Sequence, residues 1–387
     1  MKKLKEGLVI VILTIGVFDL CFFISYDFLN GQLTHYGFYE KAGILFGAIF
    51  TVIGLIFFIF EKYRIYEKRG IFSIKVNFFE ALLVVILVII SCSVGGLLYS
   101  YYEYTSEANV ETWSIGIYIA QSHEPFNFTG ENVDNPVLTS KDITDVQAKF
   151  VADPFIIYEN DTYYMFFEVL NANTDQGDIG LAISNDGFNW SYDQIILDEC
   201  FHLSYPCVFK WNNEYYMIPE TYETKSVRLY KANEFPYSWL LVKTILKGKD
   251  FVDNTIFHYE NMWWLFTETG NNNVLRLYYS DNPLGPWVEH SKSPIINGNA
   301  NIARPGGNVI VFDNRIIRYA QDDDPYYGNQ VWAFEITTLT TKSYEEYKIG
   351  INPILKGFDN WNTRGMHQIS PCQISDNKWI ASVDGFS

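Results

Sequence analysis

The sequence predicts an all-β, five-bladed β-propeller that follows three transmembrane α-helices. The propeller is indicated by a pattern of two apolar runs around a polar turn, which recurs with the same interval of 15 residues between its opening residue and a closing glutamate. The clear copies run from Asp153 to Glu168, from Tyr205 to Glu220 and from Asp253 to Glu268. Weaker copies open at Arg304 and His367, so the openings lie 48 to 63 residues apart, a spacing typical of propeller or solenoid repeats. The helices are indicated by three long apolar runs before residue 100.

The first hundred residues are expected to form a membrane anchor. Their apolar runs, at about 7–26, 42–60 and 81–99, each have the length that a helix needs to cross a bilayer. A cleaved signal peptide is disfavoured because the first run is long, lacks a small-residue cleavage site and is followed by two further runs. Asp19 lies inside the first run, where we favour a buried, hydrogen-bonded carboxyl over a proton or ligand site.

Basic residues around these runs predict the orientation of the anchor. Lys2, Lys3 and Lys5 precede the first run, and Lys and Arg residues fill the loop between the second and third runs, whereas the first loop has only Lys41. By the positive-inside rule, the N-terminus is cytoplasmic and everything after the third run is extracytoplasmic. The sequence thus predicts a multi-pass membrane protein, in contact with the lipid bilayer, whose propeller lies outside the cytoplasm.

The remaining residues are expected to form a linker, 101–149, and the propeller, 150–387. The linker carries an alternating apolar segment at 113–120, and we interpret it as a strand that completes the last blade and closes the ring. From residue 150 onward, short runs rich in β-branched and aromatic residues alternate with turn pairs such as Asn160-Asp161 and Asn212-Asn213. Most of these aromatic side chains are expected to pack between sheets.

Charge and cysteine content narrow the range of partners. The chain has a formal charge of −17, and residues 101–387 carry about −19 because the first hundred residues are slightly basic. Nucleic acid is therefore not an expected partner.

The five cysteines have no metal-ligand spacing and are expected to be packed thiols. Neither a metal nor a cofactor is predicted; the run Asp322-Asp323-Asp324 could bind a cation, but a solvated loop is the favoured interpretation.

The repeat also predicts a functional site at one mouth of the channel. In a propeller blade the first strand follows the channel and the second returns antiparallel, so the start of the first and the end of the second share one face. The opening ring would consist of Asp153, Tyr205, Asp253, Arg304 and His367. The closing ring beside it would consist of Glu168, Glu220, Glu268, Gln321 with Asp322, and Asp384.

Carboxylates gathered in this way favour sugar chemistry. Mutual repulsion raises the pKa values of some of them, and glycosyl transfer requires one protonated and one ionised acid across the anomeric carbon. The catalytic roles predicted are base for Asp153 and acid for Asp253, tuned by Glu168, Glu220 and Glu268. The residues expected to bind substrate are His202, Tyr205, Arg304, Gln321, Asp322 and His367. The alternative is that the ring residues only cap strand ends and fill the channel with hydrogen bonds.

Several motifs also resemble a known family. They are Ala152-Asp-Pro-Phe155, Tyr164-Met-Phe-Phe-Glu168, His202-Leu-Ser-Tyr-Pro206, Tyr216-Met-Ile-Pro-Glu-Thr221, Gly285-Pro-Trp287, Ala320-Gln321, Tyr327-Gly328 and Val383-Asp-Gly385. In this order they resemble the N-terminal domain of the glucosamine inositolphosphorylceramide transferase family, over about residues 113–387. That domain is similar to the five-bladed propellers of glycoside hydrolase family 43, so the resemblance implies the same fold.

The resemblance also implies site residues. Family 43 propellers use an Asp base in blade one, an Asp that tunes the pKa in blade two and a Glu acid in blade three. Asp153 matches the base, but the other two positions hold Tyr205 and Asp253, so the chain departs from the hydrolase pattern. In the plant transferases, sugar transfer is assigned to a separate C-terminal domain.

Two functions are therefore expected from the sequence. The first is a membrane-anchored carbohydrate-active enzyme that cleaves or transfers a glycosyl unit of a surface glycan or glycolipid. The second is a non-catalytic propeller that binds a glycan or glycolipid head group and assists a separate membrane glycosyltransferase.

Overall fold

The computed structural model describes residues 112–387. The three predicted spans and Asp19 lie outside the described residues. Residues 111–387 form one compact unit. Within 112–387 we find no helix with the length and apolar character required to cross a membrane.

The regular secondary structure of the described residues is almost entirely β-strand, and the strands are numbered here in chain order. The first strand and blade 1 comprise β1 (Trp113–Ala120), β2 (Ala148–Glu159), β3 (Thr162–Asn171), β4 (Gln176–Ser184) and β5 (Ser191–Leu197). Blade 2 comprises β6 (Ser204–Trp211), β7 (Glu214–Glu220), β8 (Ser226–Glu234) and β9 (Ser238–Lys247). Short 3-10 helices at Ser140–Asp142 and Tyr222–Thr224 lie in connections.

The next two blades have an additional short strand each. Blade 3 comprises β10 (Val252–Tyr259), β11 (Met262–Glu268), β12 (Val274–Ser280), β13 (Val288–Glu289) and β14 (Ile296–Asn297). Blade 4 comprises β15 (Ile310–Phe312), β16 (Arg315–Asp322), β17 (Gln330–Leu339), β18 (Tyr344–Lys348) and β19 (Leu355–Lys356). The last two strands are β20 (Ile369–Ser375) and β21 (Lys378–Phe386).

The five sheets confirm the predicted all-β, five-bladed propeller. In blades 1 to 4 the strands follow one another in chain order as antiparallel meanders. Blade 5 has the order β1-β21-β20, and β1 pairs with β21 from Trp113 opposite Phe386 to Ala120 opposite Trp379. The N-terminal strand is thus the third strand of the last blade, which joins the two ends of the described chain.

Local sequence explains the inner hairpins. In blades 1 to 4 the first two strands are joined by two residues that both have positive φ: Asn160-Asp161, Asn212-Asn213, Glu260-Asn261 and Asp313-Asn314. Positive φ at both central positions gives the turn whose twist matches that of the flanking strands, and Asn and Asp tolerate this conformation best. These turns fix the register of each hairpin, and hence the constant interval seen in the sequence.

The hydrophobic core consists of five clusters, one at each interface between neighbouring blades. Phe166 and Met217 meet between blades 1 and 2, and Leu229 and Leu265 between blades 2 and 3. The other three clusters join blade 3 to 4, 4 to 5, and 5 to 1. Residues 112–387 therefore contain hydrophobic side chains that pack at all five blade interfaces. As predicted, most aromatic residues pack in these clusters. Cys207 and Cys372 also pack against the core, but the prediction of a packed thiol was wrong for Cys200, which is exposed.

Candidate functional site at the channel mouth

The opening residues of the first three blades share an unusual backbone conformation. Asp153, Tyr205 and Asp253 have φ values of 53°, 45° and 49°, and each lies where the register of its hairpin shifts. Such a bulge re-aims a side chain out of the regular strand alternation. The left-handed conformation suits Asp but is strained for a bulky Tyr, by about 1–3 kcal/mol. The bulges therefore direct all three side chains to the channel mouth.

The predicted rings do come together, because carboxylates of one blade bind the opening residue of the next. The Asp384 Oδ2 atom accepts a hydrogen bond from the backbone N–H of Asp153 (3.0 Å). Asp153 Oδ2 accepts one from the N–H of Tyr205 (3.2 Å), and Glu220 Oε2 accepts one from the N–H of Asp253 (2.9 Å). All five of these residues are buried. These three hydrogen bonds cap strand ends, which is the alternative role expected for the ring residues. The caps are formed by the same carboxyl groups that make up the acidic cluster.

Asp253 is held by a cation from the next blade. Arg304 Nε lies 2.6 Å from Asp253 Oδ2, and Arg304 Nη2 lies 3.3 Å from Oδ1. The amide of Gln321 donates a further hydrogen bond to Oδ2. Both oxygens of the carboxyl group thus accept hydrogen bonds in a two-pronged ion pair with Arg304. Asp253 therefore anchors Arg304, and its role as a general acid stays a prediction.

The Arg304 guanidinium has further partners that sequence reasoning missed. Its Nη1 donates to Asn272 Oδ1 (3.0 Å), and its plane lies 5.1 Å from the centre of the Tyr327 ring. Glu220 Oε2 is 3.9 Å from Nη2. The motif Tyr327-Gly328 was a possible signal for the tyrosine, whereas Asn272 lies in a polar turn with no distinguishing pattern.

Tyr205 spans the channel and has a structural contact where the sequence predicted substrate binding. Its side chain is fully buried, and its hydroxyl accepts a hydrogen bond from the N–H of Gly307 (2.7 Å). The same hydroxyl lies 3.1 Å from the carbonyl of Gly307 and 2.8 Å from Thr255 Oγ1. Gly307 has φ of 135°, and a Cβ there would lie 1.7 Å from the carbonyl oxygen of Ile369, so only glycine fits. Tyr205 is consequently not free to bind a ligand through its hydroxyl.

His367 lies between two aspartates. Its Nδ1 atom is 2.7 Å from Asp384 Oδ2, and its Nε2 atom is 3.8 Å from Asp153 Oδ1. The imidazole stacks on Trp113, with 4.0 Å between ring centres, and Tyr327 packs against it edge-on. Burial alone would lower the pKa of His367, but the Asp384 carboxylate outweighs it and raises the pKa to about 9. His367 is therefore a buried cation at neutral pH.

His202 contacts a closing glutamate. The backbone N–H of Gly177 donates to His202 Nδ1 (2.9 Å), which leaves the proton of the neutral ring on Nε2. That Nε2 atom lies 3.4 Å from Glu168 Oε1. Burial lowers the pKa of His202, so the neutral form is favoured. His202 thus lies beside the predicted site, where its contact is with Glu168.

The carboxyls of the site differ in how readily they ionise. Burial raises the pKa of Asp153 to about 7, with the cation His367 opposing the shift. Burial, followed by repulsion from Asp153, raises the pKa of Glu168 well above its ordinary value. Burial also raises the pKa of Glu220 well above the ordinary range, and that of Glu268 to about 7. Several carboxyls of the mouth thus have raised pKa values, as the sequence predicted.

Asp322 points away from this cluster. It accepts hydrogen bonds from the side chains of Asn301 (2.7 Å), Gln330 (2.7 Å) and Trp332 (3.0 Å) within blade 4. Its neighbour Gln321 faces the channel and contacts Asp253. Successive residues of a strand point to opposite faces, so only one of the two can line the mouth. The structure assigns that place to Gln321 and gives Asp322 a role in holding its own blade.

One group of residues could offer ligands to a cation. Asp153, His367 and Asp384 have ligand atoms within 4.8 Å of one another. Asp384, however, already accepts hydrogen bonds from the N–H groups of Asp153, His367 and Gln368. The run 322–324 does not form such a group among the residues that the structure describes.

The family of the chain follows from its sequence match. Residues 106–386 match the family described as "Glucosamine inositolphosphorylceramide transferase 1, N-terminal". The chain belongs to this family. The glucosamine inositolphosphorylceramide transferase 1 of Oryza sativa subsp. japonica is 39% identical over 297 residues, which are 71% of this chain and 40% of the relative. The protein of the same name from Arabidopsis thaliana is 39% identical over 304 residues, 72% of this chain and 39% of the relative.

The chain thus spans about 40% of the length of these relatives, and family membership supports a carbohydrate-related role. Among solved structures it is similar to a glycosyl hydrolase from Bacteroides ovatus, with 10% identity, 65% of this chain and 92% of that chain covered, and a TM-score of 0.49. It is also similar to an exo-β-1,3-galactanase from Clostridium thermocellum, with 14% identity, 57% and 52% covered, and a TM-score of 0.47. Likeness at this level does not transfer an activity.

Proposed function

We propose that this protein is a membrane-anchored, extracytoplasmic, carbohydrate-active protein that cleaves or transfers a glycosyl unit of a surface glycan or glycolipid. The observation that carries the proposal is the unequal surroundings of two neighbouring carboxyls, Asp153 and Glu168. Burial raises the pKa of both, but only Asp153 faces the cation His367. Two acids whose surroundings separate their pKa values are the arrangement that acid–base catalysis at an anomeric carbon requires.

In this proposal Asp153 is the base and Glu168 replaces Asp253 as the acid. His202 faces Glu168 and positions it, while Arg304, fixed on Asp253, and Gln321 hold substrate hydroxyls. Glu220 and Glu268 contribute two further carboxyl groups to the mouth. The basic loops of residues 1–100 support an anchor with a cytoplasmic N-terminus, and the names of the relatives support an inositolphosphorylceramide-type glycolipid as the substrate class.

The test is turnover by the Asp153→Asn variant. The asparagine keeps the size of the side chain and can still accept from the N–H of Tyr205, so the fold should persist while the base is lost. We expect activity against a panel of lipid-linked and free oligosaccharides to fall by about 10²-fold or more. Asp161→Asn, in an exposed turn, is the matched control and should keep full activity.

A second function is favoured by the Asp253–Arg304 pair. Because both oxygens of Asp253 are occupied, the opening residue of blade 3 is not a free acid, and the propeller would then bind a glycan head group beside a separate membrane glycosyltransferase. In that case the parent protein gives glycan-array binding but no turnover. Asp153→Asn would then change affinity only modestly, whereas Arg304→Gln would abolish binding.

A further inference from the structure

We propose that the outermost strand of blade 2 is a docking surface for an anionic lipid bilayer, independently of the chemistry at the channel mouth. In β9, Leu240, Leu241 and Val242 are 56%, 45% and 44% exposed. Within residues 112–387 this is the only run of three consecutive exposed large hydrophobic residues. Successive strand residues point to opposite faces, but β9 is the edge strand of blade 2, so the three side chains together form an exposed rim of the sheet. Clustered exposed apolar surface marks a binding site for a protein or a membrane, whereas single exposed residues need no explanation.

The outer strands of the other blades do not share this feature. In blade 1, β5 exposes Ser191, Asp193 and Gln194. In blade 4, β18 exposes Glu345, Tyr347 and Lys348, and in blade 3 the corresponding β13 has only two residues. The apolar perimeter is therefore a property of blade 2 and not of the repeat.

The charge around the patch points to an anionic partner. Lys243, Lys247 and Lys249 follow the apolar run, and the segment 238–249 contains no Asp or Glu, in a domain that is otherwise strongly acidic. Nearby Lys225 and Lys231 lie against Asp250 and Glu214, whereas Lys243 and Lys247 have no salt bridge among the described residues. The acids next to this segment include Glu234 and Asp250 at its ends and Asp193 near Tyr237. Charges farther away than about 10 Å are screened at physiological salt, so the three lysines of the segment set the charge beside the apolar run. Apolar side chains beside basic ones are typical of surfaces that bind anionic membranes.

The backbone of β9 disfavours a protein strand as the occupant. Its pairing with β8 shifts register at three points, and Val242 and Ile245 have no partner in β8. Bulges twist an edge strand away from further pairing and so protect it from strand addition. What β9 offers is a ridge of side chains, which a bilayer interface accepts without any requirement for register.

The experiment uses residues 111–387, which form one compact unit and contain every blade interface. The fragment is sedimented with vesicles of phosphatidylcholine alone and of phosphatidylcholine mixed with phosphatidylserine. We expect binding to the mixed vesicles only. The variant K243E/K247E/K249E should weaken binding by at least about fivefold per lysine, and L240S/L241S/V242S should abolish it. The variant K342E/Y347S, in the corresponding part of blade 4, should bind as the parent does.

Thermal unfolding by circular dichroism establishes that each variant is folded. The proposal is overturned if the parent fails to bind the mixed vesicles, or if the blade 2 variants bind as well as the parent does. It is also overturned if sedimentation velocity in lipid-free buffer shows a dimer that L240S/L241S/V242S dissociates, because the patch is then an interface between two copies.

Discussion

The two aspartates that open blades 1 and 3 occupy the same place in the repeat but have different surroundings. Asp253 is bound through both oxygens by Arg304. Asp153 accepts from one backbone N–H and faces His367 at 3.8 Å, so it keeps free acceptor capacity. The difference arises from the next blade in the ring, whose opening residue is Arg304 in one case and Tyr205 in the other. The neighbour of an opening residue, more than its own identity, thus decides whether its carboxyl group is fully paired or keeps an oxygen free to accept.

The largest effect is expected for Arg304→Gln. The substitution leaves the Asp253 carboxylate buried without its cation, and breaking a buried pair costs about 3–5 kcal/mol. Urea unfolding of residues 111–387 measures the loss, and the double variant D253N/R304Q should recover part of it. His367→Gln is the matched change on the Asp153 side and should lower the free energy of unfolding by less. An equal loss would show that Asp153 and Asp253 depend equally on their neighbouring cations.

Tyr205→Phe should have the next largest effect. The variant keeps the ring but leaves the N–H of Gly307 without its partner, and an unsatisfied buried donor costs about 1–3 kcal/mol. The urea midpoint should fall without a change in the slope of the unfolding curve. Tyr158→Phe, which removes an exposed hydroxyl, serves as the control and should change little. A stable Tyr205→Phe protein would mean that the bridge across the channel is not needed.

The stability of the domain should also depend on pH through Asp153. Its pKa is raised to about 7 in the folded protein, above the value of about 3.9 in an unfolded chain, so the folded state binds the proton more tightly. Stability should therefore fall as the pH rises from about 4 to about 7. His367, with its pKa raised to about 9, continues the fall from about 6.5 to 9.

Asp153→Asn removes the first of these contributions. The slope of unfolding free energy between pH 4 and 7 should decrease by up to about 1.4 kcal/mol per pH unit, measured by urea unfolding across this range. Glu168, Glu220 and Glu268 would maintain a residual slope. An unchanged slope in the variant would argue that Asp153 ionises normally.

The smallest effect is expected for His202→Gln. Glutamine can accept from the N–H of Gly177 and donate to Glu168, so stability should change by less than about 1 kcal/mol. If His202 positions Glu168, the alkaline limb of a pH–activity profile should shift while the melting temperature remains the same. A pH–activity profile identical to that of the parent would mean that His202 contributes only to packing.

The sequence was sufficient to predict the blades because their signals are local. Turn pairs such as Asn160-Asp161 fix each hairpin, and the constant interval to Glu168 follows from that register. The partner of Asp253 could not be predicted in the same way, since Arg304 reaches it from the next blade, through side-chain torsions that no pattern records. Trp113 was recognised as part of a strand, but its stacking on His367 joins residues far apart in the chain.

Strand alternation explains why the prediction for Asp322 differs from the structure. Gln321 and Asp322 were predicted to bind substrate together, yet adjacent strand residues face opposite sides, and only Gln321 reaches the mouth. The bulges at Asp153, Tyr205 and Asp253 interrupt this alternation, and bulges have no signature that a single sequence reveals. A ring of residues can thus be predicted from a repeat, whereas the direction of each side chain requires the structure.

The bridge from Tyr205 to Gly307 has one more consequence. Together with the bridge between Gly307 and Ile369, it ties blade 2 to blades 4 and 5 across the centre of the ring. Under the proposed function we therefore expect a ligand of the mouth to enter and leave from one side. A long glycan chain would then be bound by its terminal residue.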